Sequence, residues 1–230
     1  MPPLTFDLPD GSRRTVDVRT LLNAGYAGRS QADVAAHIAE LAELGVPGPT
    51  RIPCVYPIAP YLAMQTDEVP VQHERTSGEA EWALVVAGDG PGELLLTAAC
   101  DHTDRQLEQH AVAWSKQAAP DVLARSAWPL DEVAGYIDEL TLTGSVLVDR
   151  ETEVIQQGTL AELLTPQYWV EELRRRGLLE VGTVLMSGTI PMRPDADQFS
   201  DGWRVELGDP RTGRSIELSY AVRRLPPPVE

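Results

Sequence analysis

Glu79 and Glu81 stand two residues apart where the apolar run Trp82–Ala87 begins, and Asp101 closes a second apolar run, Leu94–Cys100. On a strand, residues i and i+2 point to one face, so the two glutamates share a side. If the two runs pair through the turn Gly88-Asp89-Gly90-Pro91-Gly92, Asp101 returns to the end of the sheet where the glutamates sit. Three carboxylates facing one point require a cation or protons. An all-oxygen set without Cys or His favours Mg²⁺ or Mn²⁺, with Ca²⁺ also accommodated, over Zn²⁺. Taken alone, Glu-x-Glu also reads as two ordinary surface acids at a solvated strand end. The continuous apolar run behind Glu81 argues against that, because it reads as a strand buried on both faces.

Basic residues belong beside such a cluster. Three carboxylates and one divalent cation leave one net negative charge, and an anionic substrate would add more. At ~4 Å and an effective dielectric of ~20, one unlike pair is worth about 4 kcal/mol before desolvation. Arg105 offers a carboxylate fork, and Lys116 a point charge able to stabilise an enolate or oxyanion. Surface ion pairs with Glu108 or Glu132 are the plainer reading of both. An unbroken helix from Arg105 would hold Lys116 ~16 Å away. The segment is therefore expected to break near Ala113–Ser115 and turn back toward the carboxylates. Cys100, beside Asp101, can be read as a nucleophile, but a small apolar residue in a strand accounts for it better.

The elements that must position these residues are legible in part. Leu4–Leu8 and Thr15–Val18 flank Pro9-Asp10-Gly11, a hairpin signal. A helix opens at the N-cap Ser30 and ends near Gly45, with Val34, Ile38 and Leu41 as its apolar stripe. His37 and Glu40 fall at the edge of that stripe as i, i+3 neighbours, so Glu40 can hold the imidazole. A half-buried histidine beside a surface acid fits the same spacing. Residues 46–61 carry five prolines and read as an irregular connection with edge-strand pieces. Further on, 129–140 reads as a short helix, 141–148 and 153–157 as a hairpin, and 159–164 and 168–176 as helical. The runs 184–186, 203–207 and 215–222 read as strands.

Composition sets outer limits. At 230 residues with 43% hydrophobic content, the chain suits one large domain, or one domain with a small appendage. No apolar run approaches the roughly 18 residues of a membrane span, and the opening Met-Pro-Pro-Leu-Thr-Phe-Asp does not read as a signal peptide. Two cysteines without metal spacing suit a reducing cytoplasm. A net charge of −16 disfavours nucleic acid and anionic membrane as partners and requires any anionic substrate to be attracted locally.

The ordered set Glu79-Ala80-Glu81, Asp101-x-x-x-Arg105, Lys116 and Gly182-Thr183-Val184-Leu185-Met186-Ser187-Gly188-Thr189 resembles the fumarylacetoacetate hydrolase superfamily, and His37-x-x-Glu40 extends the match upstream. The resemblance covers nearly the whole chain and lies nearest an uncharacterised bacterial branch. It implies an α+β fold, a mixed β-roll or sandwich of the fumarylacetoacetate hydrolase C-terminal-domain type with peripheral helices. Residues 1–22 would form a small N-terminal hairpin appendage and 23–230 the catalytic domain. It implies metal ligation by Glu79, Glu81 and Asp101, and water activation by His37 and Glu40. It further implies substrate contacts from Arg105, Lys116 and Thr189, with Lys116 on a strand returning to the metal. The expected activity is metal-dependent C–C hydrolysis of a β-diketo or 2-oxo acid, a small anionic substrate, by a homodimer. Decarboxylation, hydration or isomerisation on the same metal site, and a non-catalytic ligand-binding role, are the alternatives. The sequence departs from the family pattern at Glu108, where a Gln is usual, at Gln117-Ala118 for Phe-Asp, at Thr183 for Asp, and at Ile190-Pro191-Met192 for Gly-x-Gly. The metal set is intact, while the substrate-side lining differs.

Overall fold

The computed structural model describes residues 2–43, 48–49, 51–148, 151–227 and 229, with the side chains of 37 and 40–43 outside the description. Two strands, β1 (Leu4–Asp7) and β2 (Arg13–Val16), form the expected hairpin as a sheet of their own. The strands that follow are β3 (Thr20–Gly25), β4 (Cys54–Ile58), β5 (Ala63–Met64), β6 (Glu68–Val71), β7 (Thr76–Val86), β8 (Leu94–Asp104), β9 (Asp121–Leu123) and β10 (Trp128–Pro129). Beyond them come β11 (Thr141–Val148), β12 (Glu151–Thr159), β13 (Thr183–Met186), β14 (Gly202–Asp209) and β15 (Arg214–Arg224). Helices are peripheral: α1 (Gln31–Glu43), α2 (Arg105–Glu108), α3 (Val112–Lys116), α4 (Leu130–Val133) and α5 (Pro166–Arg175).

A large mixed sheet runs β4-β3-β13-β7-β8-β9-β5, with β10 also paired to β8; a second runs β12-β11-β14-β15-β6. Pro57 is accommodated because β4 is an edge strand, where it need not donate to a further neighbour. The helix expected over 129–140 is α4 followed by a 3-10 stretch, Ala134–Glu139.

The long pair β7–β8 is the spine. Its register sets Glu79 opposite Asp101, Ala80 opposite Cys100 and Gly78 opposite His102. Alternation then divides the side chains. Trp82, Leu84, Leu96 and Ala98 face the second sheet and pack with Leu142, Trp203, Val205, Leu207 and Tyr220 in the main core. Ala83, Val85, Leu95 and Ala99 face the other way, onto Leu4, Phe6, Leu8 and Val16 of the hairpin. The position between residues 22 and 23 falls inside β3, whose Leu21 and Leu22 point into these two cores in turn. Gly78 keeps the sheets close: a Cβ there would come within 2.6 Å of both Cys100 Sγ and the Trp203 ring. Among the described residues, no helix is long and apolar enough to cross a membrane.

Candidate metal centre

The hairpin-facing side of β7–β8 ends in acids. One oxygen from each of Glu79, Glu81 and Asp101 lies within 4.8 Å of the others, as the strand parity requires. At that spacing and a dielectric of ~20, each like-charged pair repels by roughly 3–4 kcal/mol. Glu81 and Asp101 are buried at 1% and 0% exposure, so water does not screen them well. Gly188, in the left-handed region at φ +81°, turns the chain after β13 so that its N–H donates to Glu81 Oε2 at 2.9 Å.

Two cations answer the cluster. Lys116 Nζ donates to Glu79 Oε2 at 3.2 Å and, in a shorter contact, to Asp101 Oδ2. Burial opposes its charge, yet Asp101, Glu79 and Glu81 hold the ammonium well above its ordinary range. Burial works to raise the Glu79 carboxyl, but Lys116 and Arg105 outweigh it and hold it at about 2. Burial, then the neighbouring Asp101 charge, pushes the Glu81 carboxyl well above the usual range.

The segment after Asp101 breaks, but earlier than Ala113–Ser115. Asp104 caps α2 by accepting from Gln106 N and Leu107 N at 3.0 and 3.1 Å, and the extended Ala111 (φ −164°, ψ 126°) separates α2 from α3. Lys116 thus reaches the carboxylates from the end of a short helix, not from a returning strand.

Arg105 makes the ion pair with Glu108 that the sequence offered, and two further contacts. Its Nε donates to Ser77 Oγ at 2.8 Å, its Nη2 to Glu79 Oε1 at 2.9 Å, and its Nη1 to both oxygens of Glu108 at 3.0 Å. All three nitrogens are committed within the protein. Thr189 Oγ1 donates to Ala80 O at 2.8 Å and accepts from Gln156 Nε2 at 2.8 Å, beside the cluster but engaged with the backbone of β7. The side chains of His37 and Glu40 lie outside the described residues; Ser30 does cap their helix, accepting from Asp33 N at 3.3 Å.

Two residues of the site were not legible as such. Asn23 on β3 donates from Nδ2 to Asp101 Oδ2 at 2.9 Å and to Asp121 Oδ1 at 3.3 Å. Asp121 opens β9 directly opposite Asp101 and is fully buried. Burial, then Asp101, pushes the Asp121 carboxyl well above its usual range. An acid opening an apolar run, Asp121-Val-Leu-Ala, mirrors the acid that closes one at Asp101 and is the signal that marks it. The signal for Lys116 is stronger: the 19 basic residues are eighteen arginines and this one lysine.

The residues present fit a hard divalent cation. The donors are all oxygen. Asn23 Oδ1 and Asp121 Oδ2, both buried beside them, have no hydrogen-bond partner. Lys116 already places a positive charge on two of the three carboxylates.

This is the α+β β-roll of the fumarylacetoacetate hydrolase C-terminal-domain type, a fold shared with solved enzymes. The structure of 2-keto-3-deoxy-D-arabinonate dehydratase in its apo form aligns with a TM-score of 0.66 and 17% identity over 94% of this chain and 77% of that one. The same dehydratase complexed with magnesium and 2,5-dioxopentanoate aligns at 0.64, with 19% identity over 93% and 76%. Crystal structures of Cg1458 align at 0.62, with 15% identity over 92% and 78%. No curated protein matches by sequence. By sequence the chain belongs to the DUF2848 family, described as a protein of unknown function, whose profile matches residues 24–220.

Proposed function

We propose that the chain is a divalent-metal-dependent enzyme of the fumarylacetoacetate hydrolase superfamily, acting on a β-diketo or 2-oxo acid, with hydrolytic C–C cleavage as its reaction. The observation that carries this reading is the convergence of Glu79, Glu81 and Asp101 on one point with Lys116 against them. Those three carboxylates would hold Mg²⁺ or Mn²⁺. Bound there, the ion would supply a Lewis acid and template for two oxygens of the oxo-acid group. Lys116, the compact cation of the site, would offset negative charge developing on the substrate. Arg105 fixes Glu79 and so orients one ligand. The Thr189 hydroxyl can turn from Ala80 O to a substrate oxygen at the cost of one hydrogen bond. In the hydrolytic reading, His37 with Glu40 takes a proton from water.

A second reading is dehydration of a 2-oxo acid. It is favoured by the fold shared with a dehydratase that was solved with magnesium and 2,5-dioxopentanoate. Both readings need the same carboxylates and Lys116; only the first needs His37. Calorimetric titration with Mg²⁺ and Mn²⁺, followed by product analysis with an acylpyruvate and a 3-deoxy-2-oxo acid, tests them. His37→Ala is expected to cut hydrolysis by about 10²–10⁴ with metal affinity unchanged; unaltered turnover would make the histidine structural. A protein that binds neither metal is a non-catalytic member of the fold.

A further inference from the structure

We infer that this site selects 2-oxo acids whose far end carries no negative charge, and that Glu108 sets the preference. The inference rests on the 2-oxo acid reading above and concerns the other end of the substrate. Around the cluster, exposure rises toward Glu79, Arg105 and Glu108. The side chains of Glu79 and Arg105 are 16% exposed and that of Glu108 is 17%, against 0% for Asp101 and 7% for Lys116. With the oxo-acid end at the carboxylates and Lys116, the rest of the molecule extends along Glu79, Arg105 and Glu108.

That rim is acidic. Arg105 supplies one positive charge to two carboxylates, and its nitrogens are spent on Ser77, Glu79 and Glu108. Among the described residues, Lys116 and Arg105 are the two cations paired with the cluster. The neighbouring Tyr26, Cys54 and Tyr56 are kept protonated, chiefly by burial, and offer neutral groups. Tyr26, held at φ 56°, lies within electrostatic reach of both Glu108 and Lys116. A second carboxylate on the substrate would therefore meet Glu108 beside an Arg105 that is already paired, inside a chain of net charge −16. An uncharged chain meets no such repulsion. Glutamine at 108 would keep the shape and release the Arg105 charge.

2-Oxovalerate and 2-oxoglutarate share a carbon backbone and differ in the distal carboxylate. Titrated calorimetrically into the Mg²⁺-loaded full chain, 2-oxovalerate is expected to bind at least about tenfold more tightly. In Glu108→Gln the gap is expected to close to within about threefold, through tighter 2-oxoglutarate. Equal or tighter binding of 2-oxoglutarate by the unaltered protein overturns the inference and leaves the 2-oxo acid reading standing. An unchanged ratio in a folded Glu108→Gln protein removes Glu108 from the role. If that variant does not fold, the ratio in the unaltered protein decides. Mg²⁺ binding with no affinity for either oxo acid sinks the underlying reading and this inference with it.

Discussion

The two faces of the β7–β8 pair both bury polar side chains and treat them in opposite ways. Toward the second sheet, His102 Nδ1 meets Tyr220 OH at 2.9 Å and Nε2 meets Thr76 Oγ1 at 3.0 Å, while Cys100 Sγ lies 3.2 Å from the same Tyr220 hydroxyl. Burial drives each group neutral. It takes His102 down to about 3, helped by the Arg105 charge, and moves the Cys100 thiol and Tyr220 hydroxyl up. The result is a closed, uncharged network. Toward the hairpin, Glu79, Glu81 and Asp101 concentrate charge around Lys116, and buried oxygens of Asn23 and Asp121 go without partners. One residue's step along a strand separates the two sets. A polar group that serves only the fold can shed its charge; here Lys116 and Arg105 keep Glu79 ionised against burial, while burial and the Asp101 charge raise Glu81.

The comparison is broken hardest at Lys116. Lys116→Ala leaves Asp101 and Glu79 buried without their cation, and should cost about 3–5 kcal/mol in metal-free urea unfolding. Saturating Mg²⁺ should recover much of this, while turnover falls strongly. Equal stability of the variant and the parent in EDTA would mean that the carboxylates do not depend on this ammonium.

Asp101→Asn comes next. Its loss of Mg²⁺ affinity should exceed the ~10–100-fold typical of outer-shell changes. Calorimetric affinity within about threefold of the parent would place the ion elsewhere.

On the opposite face, Tyr220→Phe strands His102 Nδ1 and should cost about 1–3 kcal/mol. Mg²⁺ affinity should not change. A variant that lost metal instead would join the two networks.

The smallest effect is a difference in sign with pH. His102 titrates at 6.5 when unfolded and at about 3 in the fold. Its contribution is fully present above 6.5 and is lost as pH falls toward 3. Glu81 and Asp121 are raised, so the metal-free fold holds protons that the unfolded chain releases, and stability falls as pH rises past their ordinary 4.5 and 3.8. Because the ligands bind metal deprotonated, the thermal-midpoint gain on adding Mg²⁺ should grow with pH. A gain that shrank from pH 5 to pH 8 would contradict the assignment.

The carboxylate cluster was legible because strand parity is a short-range rule: Glu79 and Glu81 must share a face, and the turn near Gly88–Gly92 returns Asp101 to them. Asn23 and Asp121 depend on pairings that no local pattern announces. Asn23-Ala24-Gly25-Tyr26 reads as the lead into a helix, and Asn23 lies on a strand through pairing with the distant β13 and with β4. Strand β9 is three residues long, too short to show a period. The break before α3 falls at Gln109-His110-Ala111, which holds neither Gly nor Pro, so the sequence gives no punctuation there. Arg105 was legible as a cation at the site. Its ion pair with Glu108 was legible too; that Ser77 and Glu79 would take its other nitrogens follows only from the turn of α2 back over β7.

Arginine everywhere except position 116 also makes the site chemically addressable. Reductive methylation with isotopically labelled formaldehyde can mark one side-chain amine in the chain. That amine lies behind Glu79 and Asp101, so the rate of labelling would time the opening of the site. Once in place, the side-chain methyl resonance, told apart from that of the α-amine by its loss in Lys116→Arg, would register each ion or ligand that enters.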